Sequence, residues 1–388
     1  MDELANPYRP GAGTSPPALL GRDALIARFD TVARRALAGR PGKSLMPIGL
    51  RGVGKTVLLN RFTVLAGQMG LAVGFIEAPE SGGFRSLLAG HLRKILLSYD
   101  DERKTAKVLK ALRVLKAFTL QLPGGSSLSI DVDALAGYAD SGILQEDVTD
   151  LLVAAGEAAA ERDRGIVLAV DEIQYLAGVE LAALVTAVHR TTQRDLPVVL
   201  VGAGLPQLPG LAGQAKSYAE RLFEFPVIDS LRPDDARAAL EAPAADLGVE
   251  FADEAVEAIA RRAHGYPYFL QEWAYHVWND ASRSPVSRDV VERVTPRVVR
   301  HLDENFFLVR FDRLTPAEKR YLRAMAALGP GPHRSGDIAA RLGTRVESVA
   351  PRRSALIAKG MIYSPAHGDT AFTVPLFDEF LVRTLPTP

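Results

Sequence analysis

Gly49, Gly54, Lys55 and Thr56 stand in the spacing Gly-x4-Gly-Lys-Thr, inside the stretch Gly49-Leu50-Arg51-Gly52-Val53-Gly54-Lys55-Thr56-Val57. Glycines in this pattern let successive backbone N–H groups converge on phosphate oxygens. The Lys55 ammonium adds a point charge suited to β- and γ-phosphates, and the Thr56 hydroxyl is a hard oxygen donor for Mg²⁺. A helix starting at Gly54 would add the positive end of its dipole. The chemistry implied is binding of a nucleoside triphosphate, ATP with Mg²⁺, by Gly49, Arg51, Gly52, Val53, Gly54, Lys55, Thr56 and Val57. A second constellation, Asp171-Glu172, closes the apolar run Ile166-Val167-Leu168-Ala169-Val170. An acidic pair at such a strand end suits hydrolysis. Asp171 would hold Mg²⁺ together with Thr56, and Glu172 would orient or activate the attacking water.

These residues need particular elements around them. The glycine loop requires a strand before it and a helix after it, and the sequence offers Leu45–Ile48 and then Gly54 to about Gln68. Pro47 is awkward in that strand, because it lacks an N–H. Leu71–Ala78, the run ending at Asp171, Leu196–Val201 and Phe223–Ile228 read as further buried strands. Helical patterns separate them, from Leu20 to Leu37, over 84–117 and from Leu144 to Arg162. Helices alternating with parallel strands give a doubly wound sheet, with ligands at the strand C-termini.

Residues 1–17 form an extended lead-in, with Pro and Gly concentrated over 6–17. The nucleotide-binding domain spans 18–230. Phe118, Leu120 and Leu122, then Pro123-Gly124-Gly125-Ser126, then Leu128, Ile130 and Val132 predict a β-hairpin insert near 118–132. The basic stretch at Arg103, Lys104, Lys107, Lys110 and Lys116 reads as a solvated helix face. Residues 231–311 are Ala-rich and helical. Residues 312–388 show three helical patterns and then two short strands, the pattern of a winged helix. Pro351 would kink or restart its third helix.

With the loop and acidic pair in hand, the chain resembles the AAA+-related P-loop ATPases. Leu20-Gly21-Arg22-Asp23, Asp171-Glu172-Ile173-Gln174, Tyr218-Ala219-Glu220-Arg221-Leu222-Phe223 and Gly265-Tyr266-Pro267 carry the likeness. Within that group it looks most like the origin-recognition-type and STAND-like bacterial and archaeal ATPases with a C-terminal winged helix. The resemblance implies an α/β fold with an AAA+-like parallel sheet, a helical lid domain and a winged-helix domain. It places Arg22 near the adenine and Pro267 against the nucleotide from the lid. It makes Arg221 an arginine finger acting on a neighbouring subunit, a catalytic residue beside Lys55 and Glu172. Two departures stand out. Val201-Gly202-Ala203-Gly204 has no polar sensor residue at its strand tip, and the Gly-x-Pro turn lacks a sensor arginine. Both point to a slow nucleotide switch and not to a motor.

Residues 313–388 hold 11 Lys/Arg and 6 Asp/Glu within a chain of zero formal net charge. A third helix there would present Arg345, Arg352 and Arg353 to duplex DNA, with Lys359 on phosphates. The competing reading is a structural winged helix in a switch whose partner is another protein or a second copy of the chain, a homo-oligomer. The net charge gives no global field for nucleic acid or membrane. The absence of cysteine excludes disulfides, Cys-ligated zinc and thiol catalysis, and fits a cytoplasmic setting. No apolar run reaches membrane-spanning length, and Asp2 and Glu3 do not open a secretory signal. Trp273 and Trp278 read as core residues. The seven histidines show no metal-ligand spacing, so Mg²⁺ is the one metal expected.

Overall fold

The computed structural model describes residues 1–11, 13–14, 16, 19–100, 105–122 and 130–385. Its first part is built on parallel strands: β1 (Ser44–Leu45), β2 (Ala72–Glu77), β3 (Ile166–Asp171), β4 (Val198–Gly202) and β5 (Phe223–Glu224). The ladders β2-β3-β4 and β1-β5 join through a parallel bridge between Ile48 and Gly204, giving the order β5-β1-β4-β3-β2. Ala72, Ile166 and Val198 lie abreast. All of β3 is buried, which explains its unbroken branched run.

Alternate strand residues feed two cores, as the pleat requires. Val167, Ala169, Val199 and Val201 meet α1 (Asp23–Leu37) and α2 (Lys55–Gln68), whose Phe29 and Phe62 stack at 4.5 Å. Ile166, Leu168, Val170, Val198 and Leu200 face a larger core. It is covered by α3 (Phe84–Asp100), α4 (Ala106–Leu120), α5 (Leu144–Glu161), α6 (Gly178–Gln193), α7 (Leu208–Ala215) and α8 (Ala219–Leu222).

Three expectations change here. The strand into the glycine loop is shorter than Leu45–Ile48. Met46 and Ile48 donate to Glu224 O and Pro226 O at 2.8 and 2.9 Å, but Pro47 faces β4 and has no N–H to give. Its carbonyl still accepts from Gly204 N at 3.1 Å, so the approach to the loop stays aligned. Likewise β5 stops before Pro226, and Val227 keeps only a bridge to Ile48. The first arm of the expected hairpin is helix. Phe118 is buried in α4 on the same side as Val108, Leu112 and Leu115, while Leu120 is exposed. A 3.6-residue period fits these positions and alternation does not. The expected turn lies outside the described residues, and Ile130 and Val132 are in no strand.

Helices α9 (Pro233–Ala245), α10 (Asp253–Arg262), α11 (Pro267–Asp280) and α12 (Arg288–Leu302) follow. A π-helical turn at Asp303–Phe307 carries the chain into α13 (Leu308–Phe311). The C-terminal part comprises α14 (Pro316–Ala326), β6 (His333–Arg334), α15 (Ser335–Arg341), α16 (Val346–Ala358), β7 (Ile362–Tyr363), β8 (Asp369–Phe372) and α17 (Phe377–Thr384). Its strands are antiparallel in the order β6-β8-β7. Thr315 and Glu318 cap α14 reciprocally, and α16 passes through Pro351 as one helix. One apolar core runs through both the helical and the C-terminal parts. Phe307 stands at its centre, 5.3 Å from the Phe380 ring and 6.2 Å from that of Phe269. Trp273 and Trp278 are buried in the same core. The lead-in is packed as well as extended: Tyr8 is buried and donates to Leu240 O, and Asn6 Nδ2 donates to Tyr275 O at 3.0 Å.

Candidate nucleotide site

The glycines of the loop are sterically required. A Cβ on Gly49 would lie 2.1 Å from Ile228 O, and Gly52 and Gly54 have φ of 83° and 90°, where side chains are strained. Gly54 turns the chain so that α2 begins at Lys55, with no acidic residue in its first turn. Lys55 is buried, and its Nζ donates to Gly49 O at 3.0 Å and Leu50 O at 2.8 Å. Burial pushes this ammonium down to about 8, partly offset by the Glu172 carboxylate. Thr56 Oγ1 donates to Asp171 Oδ2 at 2.6 Å. Burial raises the Asp171 carboxyl above the usual carboxylate range, against the Thr56 hydrogen bond.

Glu172 follows in the left-handed region, φ 48°, at a cost of about 1–2 kcal/mol for a residue with a Cβ. That kink leaves its carboxylate between two partners. Arg51 Nη1 is 3.5 Å from Oε1, and Gln174 Nε2 donates to Oε2. Gln174 Oε1 in turn accepts from Leu205 N at 3.1 Å. The tip of β4 has no polar side chain, as read from the sequence, and Gln174 connects it to Glu172 instead. Arg51 also donates through Nη2 to Tyr175 Oη at 2.6 Å. Neither Gln174 nor Tyr175 was marked as a site residue by the sequence, because a polar side chain just past an acidic pair has no distinguishing pattern.

A cavity of about 780 Å³ opens over the loop, and every part of the chain contributes a wall. The lead-in supplies Arg9 to Gly11, Gly13 and Thr14, and Gly13 O lies 3.5 Å from Asn60 Nδ2 on α2. Arg22 lines the cavity and donates to Val53 O at 3.3 Å and Asp229 O at 2.6 Å, which fixes the back of the loop. Pro267 opens α11 at the cavity edge, and the next residue, Tyr268, donates its N–H to Gly52 O at 3.2 Å. Arg310, from the helix after the π turn, lies over the Phe306 ring at 4.2 Å. Burial, and then the neighbouring Arg51 cation, push Arg310 down to about 10. The C-terminal part closes the cavity with Ala358 to Met361.

Arg221 is elsewhere. It is exposed on α8, before β5, whose Phe223 pairs with Ser44 at the end of β1 remote from the glycine loop. It does not line the cavity over this chain's own loop. Of the residues expected on DNA, Arg345 is exposed and Arg352 half-buried. Arg353 and Lys359 both have acceptors within the protein. Arg353 is tied to Thr370 Oγ1 at 2.9 Å and Asp369 O at 2.8 Å, bracing α16 on β8. Lys359 donates to Glu318 at 2.8 Å beside the cavity. Sequence spacing does not reveal that these long side chains, on α16 and just after it, fold back on acceptors of their own domain.

The family model of the AAA ATPase domain matches residues 18–201, and that of a domain of unknown function matches residues 304–381. No curated protein sequence matches. Among solved structures, a Walker-type ATPase of Pyrococcus abyssi aligns with a TM-score of 0.60 at 15% identity, over 96% of this chain and 98% of its own. The Orc1 protein of Aeropyrum pernix in complex with DNA gives 0.45 at 19%, over 96% and 94%. The RuvB Holliday junction branch migration motor of Thermotoga maritima gives 0.46 at 16%, over 90% and 92%. The first of these supports the fold across the full length. Among the described residues no helix is long and apolar enough to cross a membrane.

Proposed function

We propose that this chain, whose residues 18–201 match the model of the AAA ATPase domain, is an AAA+-type P-loop ATPase that works as a slow nucleotide switch. In this reading the ATP state governs how the C-terminal part sits on the phosphate loop, and so governs assembly and contact with duplex DNA. The observation that supports it is the position of Arg51. Its backbone N–H donates to Thr373 O at 2.9 Å, while its guanidinium holds Glu172 and Tyr175. One residue of the loop thus touches the phosphate site, the hydrolytic carboxylate and the C-terminal part together.

Gly49 to Val57 would bind the phosphates through N–H groups and the Lys55 ammonium. Arg22 and Pro267 would border the base and ribose. Thr56 and Asp171 form an all-oxygen pair that fits Mg²⁺, which when bound would neutralise charge between the β- and γ-phosphates. Glu172 would orient the attacking water once released from Arg51, and its present engagement accounts for slow turnover. Arg310 and Arg51 would stabilise charge on the terminal phosphate, supplying from the π-turn helix what the Gly-x-Pro turn lacks. Arg221 would act on a neighbouring subunit in an assembly.

For DNA, α14, α15 and α16 followed by the antiparallel strands β7 and β8 are what a winged helix needs, and Arg345, just before α16, and Arg352, on it, remain as candidate contacts. A second reading has its own support. Arg353 and Lys359 serve the protein itself, which favours a bracing C-terminal part and a protein partner. Duplex DNA binding at graded salt decides between them. The first reading expects a steep salt dependence and a loss of binding in Arg345→Glu/Arg352→Glu. No affinity at low salt, with or without ATP, would leave the second.

A further inference from the structure

Glu272 and His276 lie one turn apart on α11, on the same helix face. His301, in the last turn of α12, comes up beside them. His276 Nε2 is 3.8 Å from Glu272 Oε2, and His301 Nε2 is 3.9 Å from Glu272 Oε1. One nitrogen or oxygen from each of the three residues lies within 4.8 Å of the other two. The Glu272 side chain is 4% exposed. Its Oε2 and the His276 Nε2 are both buried without a hydrogen-bond partner.

Two buried polar atoms facing each other beyond hydrogen-bond reach are costly unless something lies between them. A proton cannot bridge 3.8 Å, but a cation can. We infer that Glu272, His276 and His301 form a site for a transition-metal ion, best matched to Zn²⁺. Two imidazoles and a carboxylate suit zinc and not magnesium. Donors about 2.0–2.2 Å from a tetrahedral zinc lie about 3.3–3.6 Å apart, so each histidine has to approach Glu272 by about half an ångström, while the two imidazoles, within 4.8 Å of each other, close further. His301 is half-exposed and leaves a fourth position open to water. Tyr268 Oη donates to Glu272 Oε1 at 2.9 Å and would orient the carboxylate behind the metal. The same Tyr268 touches Gly52 through its N–H, so the ion would brace the part of the helical region that rests on the phosphate loop. The sequence hid the site because its third ligand lies on the following helix.

The test is titration of Zn²⁺ into the metal-stripped full chain with Mg²⁺ in excess, read by competition with a chromophoric chelator. One zinc per chain is expected. His301→Ala, on the exposed side of the cluster, and His276→Ala should each weaken binding at least about tenfold. Asp171→Asn, at the phosphate site, should bind zinc like the parent. Co²⁺ should give the visible absorption of a tetrahedral site in the parent and lose it in both histidine variants. No stoichiometric zinc, parent-like binding in His301→Ala and His276→Ala, or loss in Asp171→Asn would each overturn the assignment.

Discussion

Arg51 N donates to Thr373 O at 2.9 Å, joining the phosphate loop to the residue that follows β8. Thr373 Oγ1 donates onward to Gly360 O, and Gly360 packs so closely on Arg51 and Tyr175 that a Cβ there would meet Tyr175 Oη at 2.9 Å and Arg51 Nη2 at 3.1 Å. A ligand that reshapes the loop therefore acts on the C-terminal part without an intermediary.

The carboxylate proposed for hydrolysis can be separated from binding. Glu172→Gln keeps the shape at Arg51 and Gln174 and removes the charge. Mg·ATP should still bind, while single-turnover hydrolysis falls by about 10²–10⁴, the usual worth of a positioned base. Unchanged turnover would remove Glu172 from this role.

Arg310 should distinguish triphosphate from diphosphate. Arg310→Ala is expected to weaken ATP about tenfold, near 1.4 kcal/mol, and ADP much less. Calorimetric titration of both nucleotides measures the split. Equal losses for ATP and ADP would mean that Arg310 does not meet the terminal phosphate.

Lys55 gives a pH dependence of opposite sign for stability and for binding. Its folded value is lowered to about 8 by burial from an ordinary 10.5. Between those two values the unfolded chain holds the proton and the folded chain does not, so this group's contribution to stability rises with pH across that window. ATP affinity should instead fall as pH rises through about 8, because the neutral amine no longer attracts phosphate. Denaturation midpoints and ATP titrations at matched pH, in parent and Lys55→Met, isolate both trends. Their persistence in Lys55→Met would assign them to other groups.

Phe307 joins the helical and C-terminal parts, with the Phe269, Phe377 and Phe380 rings around it. Phe307→Ala should cost about 3–5 kcal/mol and appear as one cooperative transition shifted as a whole. A loss confined to an early transition from residues 312–385 would show that the shared core does not couple the two parts.

The phosphate loop, the acidic pair and the helical organisation of the rest were legible because each rests on local spacing. Gly49, Gly54, Lys55 and Thr56 announce themselves within eight positions, and β3 is a run of apolar residues that only burial explains. What was not legible depends on pairs far apart in the chain. Arg51 meets Thr373 across more than 300 residues, and Arg353 turns to β8 because Thr370 and Asp369 O wait there. Pro47 was recognised as a disturbance, but only the strand order shows that its missing N–H falls on the β4 side. The mistaken first arm of the hairpin came from reading Phe118, Leu120 and Leu122 with period two when the preceding turns of α4 had already set a period of 3.6.

Titration of Mg·ATP into the parent chain and into Lys55→Ala bears most directly on the central claim, that phosphate oxygens are held between the loop amides and the Lys55 ammonium. The expected result is saturable binding of one nucleotide per chain in the parent, abolished in the variant while its thermal unfolding remains cooperative. Equal affinity in the two proteins, or no saturation in the parent, would contradict it.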